Sequence, residues 1–290
     1  MGGSMDVIKG TLADFPRDAA YVGVALVLLV VATLAKDLMT PFKIRDELTA
    51  KDNTAVGISL AGYYVGVLLV CIGPLLTTPT EEVPLWKDLL ETAGYTLVGI
   101  ILLNASRVII DKVLLRDFST VKEIIEDRNV GTGAVEMGAY VASGLMIAGA
   151  LHGRGGGPHT LLIMYLVGQV GLLLYGLLYR VACRYDIHAE IEKDNVAAGV
   201  ALGLNLIAMG LVMAKGIGGN FVSLPTHLAQ AGITFVIGTV FLLVLRLLVD
   251  YALLPGVKIK KEIVEDQNLN AAWVEGAVLA GMAGLLVTVL

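Results

Sequence analysis

Charge is the scarcest commodity in this chain. Only 16% of its 290 residues are charged, and these are clumped, while 56% are hydrophobic. A soluble domain usually carries about 25% charged residues and a smaller apolar share, so a soluble globular protein is excluded. The formal net charge of −5 weighs little, because a membrane protein meets water only at its loops, and no nucleic-acid partner is expected. Cysteine is almost absent. Cys71 and Cys183 fall near opposite membrane faces in the topology derived below, so no bridge between them is expected, and both read as small buried apolar residues. The chain has no GxxxxGK[ST], no HExxH, no CxxC and no nucleophile elbow. An enzyme is therefore not expected, nor a cofactor. Histidine is rare: "HGRGGGPH" holds His152 and His159 but lacks further ligands, so it reads as a flexible linker and not a metal site. No basic segment followed by an apolar core opens the chain, so no cleaved signal peptide is expected; "MGGSM" resembles an appended tag and is set aside.

What fills the chain instead is long apolar runs. A helix crosses a bilayer in about 20 residues. Eight such runs lie near 19–38, 54–76, 89–115, 130–151, 160–182, 196–214, 227–254 and 269–290. The fold class expected is all-α, a polytopic membrane protein with eight transmembrane helices.

A repeated phrase orders these runs. "KEIIEDRN" ends at Asn129 and "KEIVEDQN" at Asn268; looser forms, "AKDN" and "IEKDN", end at Asn53 and Asn195. Each stands between the first and second helix of a pair, which makes four two-helix repeats. Residues 107–136 match 246–275 without a gap at 12 of 30 positions, and the first and third copies share "KDN". The larger period is thus a four-helix half. The expected organisation is an N-terminal tail (1–18), a first half (19–151, with repeats 19–76 and 89–151), an external linker (152–159) and a second half (160–290, with repeats 160–214 and 227–290). Fourteen of the 21 lysines and arginines sit in the loops within pairs, and five at the termini or between pairs. The positive-inside rule then puts the repeated phrases in the cytoplasm and both termini outside. Every copy crosses in the same sense, so the repeats are parallel, and the halves are expected to be pseudo-symmetric about the membrane normal.

Asn or Asp just before an apolar helix is an N-cap, its side chain accepting a free N–H of the first turn. Asn53, Asn129, Asn195 and Asn268, with Asp127 and Asp266, are the expected caps. Capping alone accounts for four copies; four caps around one axis would also form a polar cytoplasmic mouth.

Capping does not account for the charges inside the spans. Glu136 and Glu275 lie seven residues past their Asn, about 10 Å along the helix. Arg107 and Arg246 reach a similar depth near the end of the preceding helix, and Asp111 and Asp250 follow them by four residues, on the same face. Each half therefore carries one Arg–Asp–Glu cluster within the membrane, where a charge costs about 2.5–3.5 kcal/mol on insertion scales. Two readings stand: a buried ion pair that fixes helix register, or groups lining a path for ions or polar solutes. Small residues four apart in the second helices (Gly62/Gly66, Gly138/Ala142, Gly199/Gly203, Gly276/Ala280) would let these helices gather at the centre. Leu60, Glu136, Leu202 and Glu275 would then alternate around one axis.

Paired helices with an E-D-x-N phrase before a small-residue-rich second helix resemble the bacterial inner-membrane family called Domain of Unknown Function 350. The resemblance spans all four copies and implies that two four-helix members are fused here. It implies residence in the bacterial inner membrane, and an association with envelope-stress or polyamine-linked systems. The family supplies no catalytic residues. The function expected is a channel or transporter for ions or small charged solutes. The alternative is a non-conducting scaffold or sensor that docks a cytoplasmic partner at its acidic loops. A homo-oligomer within the lipid bilayer is a further expectation.

Overall fold

The computed structural model describes residues 2–77, 83–115, 119–183, 185–253, 256 and 258–290. Long apolar runs must satisfy their own backbone polar groups in lipid, which only a helix does within one segment. Eight long helices result among the described residues: α1 (Gly2–Met39), α3 (Thr54–Leu75), α4 (Leu85–Val113), α6 (Val130–Leu151), α7 (Pro158–Cys183), α9 (Val196–Ile217), α10 (Leu224–Leu248) and α12 (Leu269–Val289). A π-helical turn (Val249–Leu253) extends α10. Each carries a stretch long and apolar enough to span a membrane, that of α1 starting at Phe15 and that of α10 ending at Tyr251. The described residues contain no strand.

Four short helices precede the caps: α2 (Ile44–Thr49), α5 (Thr120–Ile125), α8 (Ile187–Glu192) and α11 (Ile259–Val264). They turn one buried isoleucine or leucine face into the bundle end, with Ile44, Ile124, Ile191 and Ile263 buried. The N-terminal segment, expected as a tail over 1–18, is helical from Gly2 and continuous with the first span. Arg116, Arg184 and Leu254, used above for the charge count and a helix end, lie outside the described residues.

The order of packing departs from the sequence reading. The second helices of the pairs, α3, α6, α9 and α12, stand side by side in chain order: α3 against α6, α6 against α9, α9 against α12. No comparable packing joins α3 to α12 among the described residues. The helices form a row and not a ring around one axis, and α9 separates Glu136 on α6 from Glu275 on α12. Glycine sets the spacing. A Cβ on Gly138 would lie 2.2 Å from the Gly203 carbonyl oxygen, and one on Gly62 2.4 Å from the Met137 Cα. Backbones touch there, which gives dispersion contact where lipid offers no hydrophobic gain from helix association.

The first helices form a second layer over the grooves of that row. α4 rests on α3 and α6, α7 on α6 and α9, and α10 on α9 and α12; α1 flanks α3 and α4. Their outer faces show Leu97, Ile101, Leu166, Val170, Ile233 and Val240. These are the lipid-facing surfaces that a membrane span requires. The innermost helices, α6 and α9, hold most of the buried small residues.

Candidate functional site

The repeated phrase builds one bracket per pair. The side chains of Asn53, Asn129, Asn195 and Asn268 each accept from backbone N–H groups of the first turn, as at Thr132 (2.9 Å) and Ala198 (3.2 Å). The residue before each cap, Asp52, Arg128, Asp194 or Gln267, is left-handed, with φ of 50°, 54°, 61° and 45°. That turn aims the cap at its helix and costs on the order of 1 kcal/mol for a non-glycine residue. Asp127 and Asp266, expected to share the capping, do not. They lie 3.5 and 3.7 Å from Lys122 and Lys261 in exposed ion pairs.

The other end of each asparagine does more. The amide nitrogens donate to a glutamate of their own short helix: Asn53 to Glu47, Asn129 to Glu123, Asn195 to Glu190 and Asn268 to Glu262, at 3.2, 2.8, 3.2 and 2.6 Å. Three also donate to a carbonyl of the following pair: Asn53 to Ile124 (2.9 Å), Asn129 to Ile191 (2.6 Å) and Asn195 to Ile263 (2.7 Å). A glutamate five or six residues before each asparagine thus forms one hydrogen-bonded unit with it, and three of these units tie a pair to the next. Glu47 shows the electrostatic result. Burial pushes its carboxyl up, but hydrogen bonds from Lys51 and Asn53, and the charges of Lys51 and Arg128, hold it below its usual value.

Beyond the brackets lie the two clusters, and each arginine reaches the glutamate of its own half. Arg107 Nε donates to Glu136 Oε1 at 3.2 Å and lies 3.6 Å from Asp111 Oδ2. Ser59 donates to the other Glu136 oxygen, and Thr120 donates to Asp111 at 3.1 Å. A fourth charge completes this cluster. Lys36 is buried, with its ammonium 4.8 Å and 4.3 Å from the ring centres of Tyr63 and Tyr140 and a hydrogen bond to the Tyr140 hydroxyl. A crevice of about 20 Å³ lies against Lys36, Ser59, Arg107 and Glu136, enough for one water.

The second cluster is drier. Arg246 Nε donates to Glu275 Oε1 at 2.9 Å, its Nη1 lies 3.1 Å from Cys183 Sγ, and its guanidinium stacks 4.8 Å from the Tyr179 ring centre. Glu275 is fully buried, and its Oε2 has no hydrogen-bond partner among the described residues. The reason is local. Ser59, six residues past its cap, serves Glu136; the residue six past Asn195 is Ala201, which has no donor. Asp250 is drawn off to the Ile259 amide at 2.7 Å.

The sequence reading missed Lys36, Ser59, Tyr140 and Tyr179 as cluster members. Lys36 ends a charge-free run over residues 19–35, which is the signal in the sequence that could have found it. Tyr140 follows Glu136 by four residues on the same face. At the opposite end of the bundle a cavity of about 370 Å³ is lined by Asp88, Glu91, Thr92, His152, Thr160 and His227, among others. His159 is not part of it. Within the bundle, Gln169 donates to Ser106 (3.1 Å) and Ser143 (3.3 Å) and so ties α7 to α4 and α6.

Eight apolar spans with paired charges buried among them define a multi-pass α-helical membrane protein. The chain belongs to the family described as Domain of Unknown Function (DUF350), whose model matches residues 10–151 and again 156–290. It is 24% identical over 252 residues to a UPF0719 transmembrane protein of Aquifex aeolicus (strain VF5), covering 86% of this chain and 90% of that protein. No solved structure matches it.

Proposed function

We propose that the protein conducts or transports ions or small charged solutes, and that the first half carries the path. The observation behind this reading is that Lys36, Arg107 and Glu136 line a crevice with room for a water, with Asp111 3.6 Å from Arg107. A register-fixing ion pair needs only two charges and no free space; the Arg246–Glu275 pair answers that description. Lys36 and Glu136 are buried and Arg107 and Asp111 partly so, and ionisable groups within a membrane by default mark an ion or solute path. Glu136 is the central group, held by Arg107 and Ser59, and Glu275 is structural. The excess of lysine and arginine in the loops within pairs supports a bacterial inner-membrane protein with those loops cytoplasmic and both termini outside. Reporter fusions on the two sides of a span test that orientation. The function is tested by potassium, chloride and proton flux into proteoliposomes. Glu136→Gln is expected to lower the flux or change its selectivity, and Glu275→Gln to change neither. Absence of flux from the unsubstituted protein, or wild-type flux from Glu136→Gln, would refute the reading.

A scaffold role has one observation in its favour: Glu126, Asp127, Glu265 and Asp266 are exposed at the capped end. Glu123 is not available for docking, because it is buried against Asn129. Neutralising Glu126 and Glu265 while leaving Glu123 and Glu262 intact would abolish capture of a docked partner on this reading, and unchanged capture would reject it.

A further inference from the structure

The bracket that joins successive pairs is used three times and left open at both ends. Asn53, Asn129 and Asn195 each reach an isoleucine carbonyl of the following pair. Asn268 donates to Glu262, and no carbonyl of another pair receives its amide among the described residues. At the other end of the row stands Leu48, five residues before its cap, as Ile124 is before Asn129. No asparagine amide reaches the Leu48 carbonyl among the described residues. A carboxamide has two N–H groups and donates both when it can.

The helix faces at the two ends correspond to faces that already meet inside the chain. α6 packs on α9 through Gly131, Gly138, Ala142 and Gly149, where a Cβ on Gly138 would lie 2.2 Å from the Gly203 oxygen and one on Gly149 2.4 Å from the Ala214 oxygen. Counted from the caps, the same positions on α12 are Asn270, Ala277, Gly281 and Thr288, and all four are exposed. The answering face of α9 is Gly199, Gly203, Gly210 and Ala214. Its counterpart on α3 is Gly57, Ala61, Leu68 and Ile72, of which the last three are exposed. Sizes trade across the pair: where Gly210 meets Ala142, the outer faces set Leu68 opposite Gly281. A Cβ on Gly281 meets nothing within 4 Å in its own chain.

We propose that a second copy of this chain docks head to tail, its α3 on the outer face of α12, continuing the row of second helices. The Asn268 amide then donates to the Leu48 carbonyl of the second copy and completes the fourth bracket. The occupant is a second copy because the two open faces are the register equivalents of an interface the chain already makes. Such a contact is heterologous, so it extends to a ring or an open row and does not stop at a two-fold dimer.

The experiment is oxidative crosslinking of full-length protein in membranes with Ala61→Cys and Ala277→Cys, whose internal equivalents are Gly203 and Gly138. The doubly substituted chain should give a ladder of dimer and higher products, and each single variant alone should give none. A dimer from Ala277→Cys alone would show a symmetric contact and overturn the proposal. So would the absence of any ladder, or an adduct with an unrelated protein. Gly281→Leu supplies a second arm, since the added side chain has open space in its own chain and the fold should survive. Its mass in nanodiscs should fall to a single copy, while the unsubstituted protein gives multiples. Equal masses for the two would also overturn it. Ion flux is not read in either arm, so the outcome is separate from that of the transport reading.

Discussion

Arg246→Met is the sharpest perturbation of the buried charge. The Arg246 side chain is 10% exposed, Glu275 is 0% exposed, and the two meet at 2.9 Å. At an effective dielectric of about 20, two unit charges at that distance attract by about 6 kcal/mol. Most of this offsets the cost of taking both from water, so the pair adds little net stability. Removing one partner is different. Glu275 already has one oxygen without a hydrogen-bond partner among the described residues, and it would lose the countercharge that Arg246 supplies. Breaking a buried pair costs about 3–5 kcal/mol. At roughly 2–4 °C per kcal/mol for a chain of this order of size, melting in detergent should fall by about 10 °C. The double variant Arg246→Met/Glu275→Leu should recover most of that loss, because an apolar pair of similar volume leaves no buried charge. The corresponding Arg107→Met should cost less, since Arg107 is 17% exposed and Lys36 remains near Glu136. Melting of Arg246→Met within about 2 °C of the unsubstituted protein would refute the reasoning. So would a double variant less stable than the single one.

Three further outcomes follow from the brackets and the row. Asn129→Ala removes a cap and strands the Ile191 carbonyl and Glu123, so it should destabilise the fold by about 2–3 kcal/mol; Asn268→Ala in a single copy should cost about 1 kcal/mol, and chemical or thermal unfolding compares the two. Gly138→Leu should prevent folding, because its first side-chain carbon already collides with the Gly203 backbone; a monodisperse, helical product of normal yield would contradict the close contact. Glu47 is ionised more readily in the folded protein than in the unfolded chain, so its stabilising effect is full above the unfolded value of about 4.3 and is lost as pH falls through the lower folded value. The melting gap between the unsubstituted protein and Glu47→Gln should therefore be constant near neutrality and shrink below about pH 4, and a gap that widens on acidification would reject the assignment.

The membrane class, the eight spans and the four caps were legible in the sequence because each is a local property. Hydropathy over some 20 residues decides whether a helix spans a bilayer, and an asparagine caps the helix that begins at the next residue. The matched depth of Arg107 with Glu136 and of Arg246 with Glu275 was legible too, but not which arginine meets which glutamate; the fold pairs each within its own half. Lys36 was not. It sits in the last turn of α1, and only the packing of α1 against α3 and α4 brings it between Tyr63 and Tyr140, some 27 and 104 residues away in the chain. Nor was the row. Small residues four apart allow close approach to a neighbour but do not name the neighbour, so the same spacing is compatible with a ring and with the row that the fold adopts. The choice is made where Gly138 meets Gly203 and Asn129 meets Ile191. Those contacts span more than 60 residues, and their energy exists only once the helices are side by side.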